Sequence, residues 1–239
     1  MIKADQAFSV EQYNKAAELY KKAYQSAKSR AVKSEIIFKQ AECYRLSGNK
    51  KRAESYYKRA IKAKYPDVLV YLRYADILRM NEKYEEAKLQ YQKYIQLNPT
   101  DVSGEMGLKS CDYALSWLSN PTRYQVELMP LINSRFSDFS PSFGNGEYSE
   151  VFFTSSRSGG FSNKIDDRTG ETFTDIYSSK LNKNGKWSVP TMLAEPINSV
   201  GNEGSVVLNK RGTTMYFTKC DVQKKKSLGC NIYVSNRKG

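Results

Sequence analysis

Residues that could perform catalysis or bind a metal are sparse in this chain. None of its 239 residues is histidine, which excludes the Ser-His-Asp and Cys-His nucleophile systems and removes the commonest zinc ligand. The four cysteines, Cys43, Cys111, Cys220 and Cys230, include no C-x-x-C pair, so neither a zinc knuckle nor a thioredoxin motif is supported. We therefore expect no catalytic residues, no metal site and no cofactor.

Two clusters that look like ligand sites are interpreted otherwise. Asp166-Asp167, with Glu171 and Asp175 nearby, has a spacing that fits no calcium loop, which favours a solvated acidic loop. The glycines of 144–146 and 159–160 are not followed by a helix that could present its N-terminus to a phosphate, so they indicate turns. The chain is therefore not expected to be an enzyme.

The elements of the first half are set by a repeat of 34 residues. Ala41, Ala53 and Tyr57 recur as Ala75, Ala87 and Tyr91, and a period of this length with two small residues per unit predicts stacked pairs of antiparallel helices. An earlier copy, offset by 37 residues, places helices at 2–9 and 13–23. A final helix over 102–118 is expected to cap the array, which gives a helical domain over residues 1–118.

The segment from Asn81 to Pro99 resembles the consensus turn, second helix and terminal proline of the tetratricopeptide repeat. In that family the first helices line a concave surface that binds partner segments. The resemblance implies a partner-binding groove, and its residues are Asp5, Phe8, Phe38, Glu42, Arg45, Leu72, Asp76 and Arg79. Two other interpretations stay open: Glu42–Arg45 and Asp76–Arg79 are only i,i+3 pairs on an exposed face, or the chain's own segments fill the groove.

The charge of the chain is uneven. The formal net charge is +13. Residues 1–64 hold 16 Lys/Arg against 6 Asp/Glu, residues 65–118 hold 6 against 8, and residues 119–239 hold 16 against 11. The basic first part could meet nucleic acid, anionic lipid or an acidic partner surface, or its lysines are merely solvated. No run of 18 apolar residues exists that could span a membrane.

From Pro121 the helical periodicity gives way to short aromatic and β-branched runs between turns, which predicts strands. The runs are 124–129, 151–154, 172–180, 187–192, 205–208, 213–218 and 230–235, with hairpin turns at Asn184-Gly185 and 210–212. Ile132-Asn133-Ser134 returns as Ile197-Asn198-Ser199, and Asp175-Ile176-Tyr177 returns as Asn231-Ile232-Tyr233. A unit of about four strands repeated in this way is typical of a β-propeller blade.

The segments 137–143 and 151–160, together with Asp175-Ile176-Tyr177, resemble TolB-type, WD40-like propeller blades. This predicts a second domain over 122–239, with blade one at about 136–192 and a truncated blade two at about 203–239. Residues 123–129 precede blade one yet resemble its fourth strand, so we interpret them as a strand that closes the last blade. The predicted fold class is a tetratricopeptide helical array followed by the first part, about two blades, of a β-propeller.

The cysteines divide into two kinds. Cys220 and Cys230 flank a short loop of one predicted hairpin, where a disulfide across paired strands is feasible and would indicate an oxidising compartment. Cys43 and Cys111 lie on helices about two repeats apart, too far for a disulfide. We expect these two to be buried small apolar residues.

The two modules in this order resemble the N-terminal half of PorE-like multidomain periplasmic proteins of the type IX secretion system. Those proteins continue into an OmpA-like peptidoglycan-binding domain. The resemblance implies a non-enzymatic, outer-membrane-associated periplasmic scaffold that docks protein partners of a secretion or gliding machine and binds no nucleic acid. Peptidoglycan would be held by domains outside this chain.

Two alternative functions remain. The propeller of a sensor or adaptor could bind a ligand or a peptide, and a propeller can also form the accessory N-terminal half of a serine peptidase. The sequence beyond Gly239 would separate them, because an OmpA-like domain indicates the scaffold and a Gly-x-Ser-x-Gly elbow indicates the peptidase.

Overall fold

The structure, a computed structural model, describes residues 1–220, 222–223, 226–227 and 229–237. The end of the predicted second blade at 238–239, and residues 221, 224, 225 and 228 within it, lie outside the described residues. The chain divides into two compact units, one of Met1–Gln125 with Asp167–Gly170 and one of Val126–Asp166 with Glu171–Gly239. Among the described residues, no helix combines the length and apolar composition that a membrane span requires.

The first unit contains seven described helices. They are α1 Ile2–Ser9, α2 Tyr13–Ser26, α3 Arg30–Leu46, α4 Lys50–Lys62, α5 Leu69–Met80, α6 Tyr84–Leu97 and α7 Ser103–Ser119. Successive helices pair, and the small residues at the repeat positions Ala16, Ala53 and Ala87 are fully buried where the helices cross. The predicted helical array is confirmed, and its core is continuous from α1 to α7 because each pair packs on the next.

The turn between the two helices of each pair has the same geometry in all three repeats. Glu11, Gly48 and Glu82 occupy equivalent positions, with φ of 60°, 81° and 62°. The N–H of the next residue donates to the carbonyl five residues before it at 2.8–2.9 Å, which closes the end of the first helix. Glycine is favoured there because a side chain at positive φ costs roughly 1–2 kcal/mol.

Lysine ion pairs connect neighbouring repeats. The three pairs are Lys39–Asp5, Lys83–Glu54 and Lys88–Asp112, with N–O distances of 2.8, 2.6 and 2.8 Å. The first two pairs join one repeat to the next, and the third joins the last repeat to α7; each pair is partly exposed to solvent. These contacts therefore add to the apolar stacking between repeats.

The second unit contains antiparallel sheets. The strands are β1 Asp138–Phe143, β2 Glu150–Ser155, β3 Asp175–Lys180, β4 Thr191–Met192, β5 Asn202–Leu208, β6 Thr214–Cys220, β7 Val222–Gln223, β8 Lys226–Ser227 and β9 Asn231–Asn236. One sheet has the order β1-β2-β3-β4, a second has the order β5-β6-β9, and β7 pairs with β8.

The two larger sheets repeat each other in register. Phe153 faces Tyr177 in the first sheet and Phe217 faces Tyr233 in the second, with ring centroids 6.1 and 5.9 Å apart. Both sheets carry a bulge in their first strand, at 139–142 and at 204–207. The predicted fold class, a helical array followed by about two propeller-like blades, is confirmed.

Two of the predicted strands differ from the structure, and one observed strand was not predicted. Residues 123–129 form no strand, and Tyr124, Val126 and Leu128 are exposed, so the pairing that would close a last blade stays a prediction. The strand predicted over 187–192 is reduced to Thr191–Met192, because Pro190 has no N–H to donate to the ladder. Strand β1 was not in the predicted set because Pro141 interrupts it, and the bulge accommodates this proline.

The cysteines occupy two environments. Cys43 and Cys111 are free and buried, which confirms their prediction as small core residues. Burial raises the pKa of the Cys43 thiol to about 12, so this thiol stays protonated and inert. The sulfur atoms of Cys220 and Cys230 are bonded, with the Cα atoms 4.0 Å apart.

Candidate functional site

The three carboxylates of the predicted groove share one contact. Each accepts a hydrogen bond from the tyrosine hydroxyl that lies 15 residues later, on the second helix of its own repeat. The pairs are Asp5–Tyr20 at 2.6 Å, Glu42–Tyr57 and Asp76–Tyr91 at 2.8 Å. The tyrosine rings are buried in the core, so each carboxylate–tyrosine hydrogen bond connects the first helix of a repeat to the second.

The cations beside these carboxylates differ from repeat to repeat. The predicted Glu42–Arg45 pair forms, with Nη2 of Arg45 2.6 Å from Oε2 of Glu42. Arg79 instead donates from Nε to the hydroxyl of Tyr91 at 3.2 Å, and no direct ion pair joins it to Asp76 in the described part of the chain. The carboxylate of Asp76 lies 3.7 Å from Nη1 of Arg73.

These contacts keep the tyrosines protonated. Burial, together with the adjoining carboxylate, raises the pKa of Tyr20, Tyr57 and Tyr91 well above the ordinary value. Burial alone would raise the pKa of Asp5, but hydrogen bonds from Lys39 and Tyr20 outweigh it and hold that pKa below its usual range. The hydroxyls therefore remain donors throughout the neutral range.

The apolar members of the predicted groove are largely part of the core. Phe38 and Leu72 are buried, and Phe38 stacks on Tyr65 with ring centroids 4.4 Å apart. Phe8 is half-buried against Tyr13. The side chains left with accessible atoms on the first helices are therefore mainly polar or charged.

Arg45 and Arg79 are the groove residues with the clearest capacity to bind. They lie 34 residues apart at equivalent repeat positions, and both side chains are partly exposed. Burial alone would lower the pKa of Arg45, but its hydrogen bonds to Glu42 outweigh it and raise that pKa; the hydrogen bond to Tyr91 raises the pKa of Arg79. These bonds also hold the orientation of both guanidinium groups. Two fixed cations in a row can pair with carboxylates of a partner segment.

Sequence reasoning missed the tyrosine hydroxyls as the partners of the groove carboxylates. Tyr57 and Tyr91 were used only as markers of the repeat. The signal that identifies the contact is the constant spacing of 15 residues from carboxylate to tyrosine, which holds in all three repeats although the repeat offset changes from 37 to 34.

The strand unit has its own repeated carboxylate contact. Asp138 accepts hydrogen bonds from the N–H and hydroxyl of Ser134 at 2.5 and 2.8 Å, and it pairs with Nη2 of Arg157 at 2.8 Å. Glu203 accepts from the N–H and hydroxyl of Ser199 at 3.1 and 2.5 Å. The repeated Ile-Asn-Ser segment of the sequence therefore corresponds to a serine that donates two hydrogen bonds to a carboxylate at the start of the first strand of each sheet.

Asp175, the first residue of β3, is buried, and only one of its two carboxylate oxygens has a hydrogen-bond partner among the described residues. The N–H of Phe161 donates to its Oδ2 at 2.9 Å, while its Oδ1 has no hydrogen-bond partner among the described residues. Burial raises the pKa of Asp175 to about 6, the Phe161 N–H opposes this rise, and the Glu203 carboxylate adds to it. The equivalent residue of the second sheet is Asn231, which carries no charge.

We expect Asp175→Asn to stabilise the protein by about 1–3 kcal/mol at neutral pH. The folded pKa lies above the unfolded value of about 3.9, so stability conferred by the protonated form is complete below about pH 4 and is lost as pH rises through about 6. Thermal unfolding across this range should show that decline in the native protein and not in the variant. The control is Glu147→Gln, which changes an exposed carboxylate. If stability depended on pH in the same way in Asp175→Asn as in the native protein, or if Glu147→Gln stabilised the protein equally, Asp175 would not be the destabilising group.

The described residues contain no group of three or more cysteine or acidic side chains placed to hold a metal ion. Of the acidic residues predicted to be solvated, Asp166, Asp167 and Glu171 are partly or fully exposed, but the prediction is wrong for Asp175, which is buried at the start of β3.

A family model described as the tetratricopeptide repeat matches residues 34–66 and 68–101. Residues 34–101 are tetratricopeptide repeats. These matches coincide with the two best copies of the 34-residue period and with helices α3 to α6. Tetratricopeptide repeats are protein-interaction modules, so this part of the chain is a scaffold for binding proteins.

Several solved structures are similar to part of the chain. The tetratricopeptide domain of Arabidopsis OM64 has 18% identity over 46% of this chain and 89% of its own, with a TM-score of 0.41. The first such domain of human RPAP3 has 24% identity over 50% of this chain and 92% of its own, with a TM-score of 0.43. The Hsp90 co-chaperone Cns1 from Saccharomyces cerevisiae has 20% identity over 49% of this chain, which spans 38% of Cns1, with a TM-score of 0.46. No curated protein was found to match the chain.

Proposed function

We propose that the chain is a non-enzymatic scaffold that captures an acidic segment of a partner protein along the first helices of its tetratricopeptide array. The observation that carries this proposal is the pair Arg45 and Arg79. Each guanidinium is oriented by its own repeat, through Glu42 or Tyr91, and each retains exposed surface. Because the orientation is set before binding, little conformational entropy is lost when a partner carboxylate pairs with them.

The proposal extends to where this scaffold acts. The order of the two modules resembles that of PorE-like periplasmic proteins, and this resemblance is the reason for proposing a role beside the outer membrane in docking components of a secretion or gliding machine. The bond between Cys220 and Cys230 favours an oxidising compartment. Attachment to peptidoglycan would belong to an OmpA-like domain outside this chain. Cell fractionation that found the protein in the cytosol would remove this extension and leave the docking function standing.

Arg45→Gln combined with Arg79→Gln is expected to reduce capture of the partner about tenfold or more, because each lost charge-assisted hydrogen bond is worth roughly 1.5–3 kcal/mol. Glutamine is preferable to a charge reversal, since a glutamate at 45 would lie beside Glu42 and destabilise α3. The measurement is pull-down from a cell-envelope extract with the full chain as bait, with helical content checked by circular dichroism.

The matched control is Lys93→Gln with Lys109→Gln, which removes two exposed cations of α6 and α7. This control should capture the partner as the native protein does. Equal capture by all three proteins would contradict a role for the arginine pair.

A further inference from the structure

The outward face of α4 carries only cations among its charged residues. This basic face consists of Lys51, Arg52, Lys58, Arg59 and Lys62, all exposed, while Ala53, Tyr57 and Ala60 form the buried side of the same helix. The one acidic residue of α4, Glu54, is already paired with Lys83 at 2.6 Å and accepts a hydrogen bond from Asn81. It therefore does not balance the basic face.

Helix α6 shows that the fold does not require these charges. It occupies the same place in the next repeat, 34 residues on, and buries the same alanine and tyrosine. Where α4 has Lys51 and Arg52, α6 has Glu85 and Glu86. The remaining three positions of the basic face are Gln92, Lys93 and Gln96 in α6. The same five helix positions thus carry a net negative charge in α6 and only positive charges in α4.

The cations in the first turn of α4 also oppose helix stability. Lys50, Lys51 and Arg52 occupy the first turn, which contains no acidic residue, although the N-terminus of a helix carries the positive end of the dipole. Lys58 and Lys62 form a like-charge i,i+4 pair. In α6 the first turn holds Glu85 and Glu86, the favourable arrangement. Arg59 and Lys62 lie in the last turn, where cations are favourable, so helix stability can account for these two but not for Lys51 and Arg52. Binding of an anion accounts for the cations that stability does not explain.

The surroundings of the basic face define the anion. No apolar side chain lies on it, and Arg59 covers the nearby ring of Tyr56 at 4.5 Å, so no aromatic surface is open to stack on bases. The bond between Cys220 and Cys230 favours an oxidising compartment, where nucleic acid is not a partner. The preceding second helix, α2, adds the exposed Lys21 and Lys22.

A positive surface spread over two second helices fits a broad anionic layer better than a narrow peptide. We propose that the basic face of α4 binds the anionic phospholipid headgroups of a membrane surface. Contact is electrostatic and peripheral, because the face has no side chain to insert among acyl chains. This surface is formed by second helices and is separate from the arginine pair of the first helices.

The test uses flotation of the full chain with vesicles of phosphatidylcholine that contain or lack about 30% phosphatidylglycerol. The variant is Lys51→Glu, Arg52→Glu, Lys58→Gln and Lys62→Gln, which gives α4 the residues that α6 has at those positions. The control is Lys183→Glu, Lys186→Glu, Lys210→Gln and Arg211→Gln, which changes the net charge equally at exposed turns of the strand unit.

The native protein and the control should bind the anionic vesicles and not the neutral ones. The variant should lose about a hundredfold or more in vesicle affinity with its helical content unchanged. Binding should also disappear when salt rises from about 0.05 to 0.5 M, because the screening length shortens. The proposal is overturned if native protein and variant bind alike, if the native protein binds neither vesicle, or if it binds immobilised polyglutamate while ignoring the vesicles.

Discussion

Replacing Tyr57 with alanine is expected to lower the free energy of unfolding of the helical array by about 3–5 kcal/mol. The ring is fully buried and packs edge-on against Phe38, with centroids 6.0 Å apart, and its hydroxyl donates to Glu42. Removal leaves a cavity between the two helices of the middle repeat. Because each repeat is stabilised by its neighbours, the loss affects the whole array. Urea denaturation followed by circular dichroism at the helical band measures it.

Two further variants separate the causes. Tyr57→Phe keeps the ring and removes only the hydrogen bond to Glu42, so it should cost about 1–3 kcal/mol. Tyr113→Ala truncates an exposed tyrosine of α7 and should change stability by no more than about 0.5 kcal/mol. If Tyr57→Ala were as mild as Tyr113→Ala, the ring would not be the centre of the repeat.

The second large effect is expected in the strand unit, where Arg157→Leu should destabilise the first sheet by about 3–5 kcal/mol. The guanidinium pairs with Asp138 and donates to the carbonyl of Ile132 at 2.6 Å, while it lies over the rings of Phe153 and Tyr177. Leucine restores part of the apolar contact but leaves the carboxylate, of which only 7% is exposed, without its cation. The cost is therefore chiefly electrostatic.

The pH dependence identifies this mechanism. Burial alone would raise the pKa of Asp138, but hydrogen bonds from Ser155, Arg157 and Ser134 hold it below its ordinary value. The resulting stability is present above the unfolded pKa of about 3.9 and is lost as pH falls through the folded pKa. Arg157→Leu should remove this acid-side loss, whereas Asp138→Asn combined with Arg157→Leu should recover part of the stability at neutral pH.

Fluorescence of Trp187, which packs against the core of the first sheet, measures the unfolding of this unit. A Trp117→Phe background removes the second tryptophan, which lies on α7. The control is Arg211→Leu, an exposed arginine that should be neutral. Equal stability of Arg157→Leu and Arg211→Leu would show that the buried pair contributes nothing net.

The helical array is predictable because both the small residues and the tyrosines recur with the 34-residue period. Each copy of the repeat is therefore independent evidence for the helices assigned to the other copies. The partners of the groove carboxylates were harder to assign. The pairing of Glu42 with Arg45 is local and was recognised, whereas the contact with Tyr57 depends on how two helices cross. Residues such as Phe38 and Leu72 were assigned to the groove because family positions do not specify how far the next repeat covers a side chain.

In the strand half, the sequence predicted the strands whose patterns alternate regularly between turns. It failed for β1, where Pro141 argues against a strand unless a bulge is present, and for the length of β4, where Pro190 ends the pairing. Residues 123–129 have the alternation of a strand without a partner edge in the described structure. Alternation alone therefore indicates the capacity to pair, and only topology decides whether pairing occurs.

The two kinds of polar contact in the array divide its stability into separate parts. The tyrosine–carboxylate bonds of Glu42 and Asp76 lie inside single repeats and are the more sheltered, whereas the lysine pairs that join one repeat to the next are more open to solvent. Dissolved ions screen the second kind and leave the first almost untouched. Ionic strength thus acts on the cooperativity of the array, that is, on how strongly the opening of one repeat is communicated to the next, and not on the integrity of each repeat.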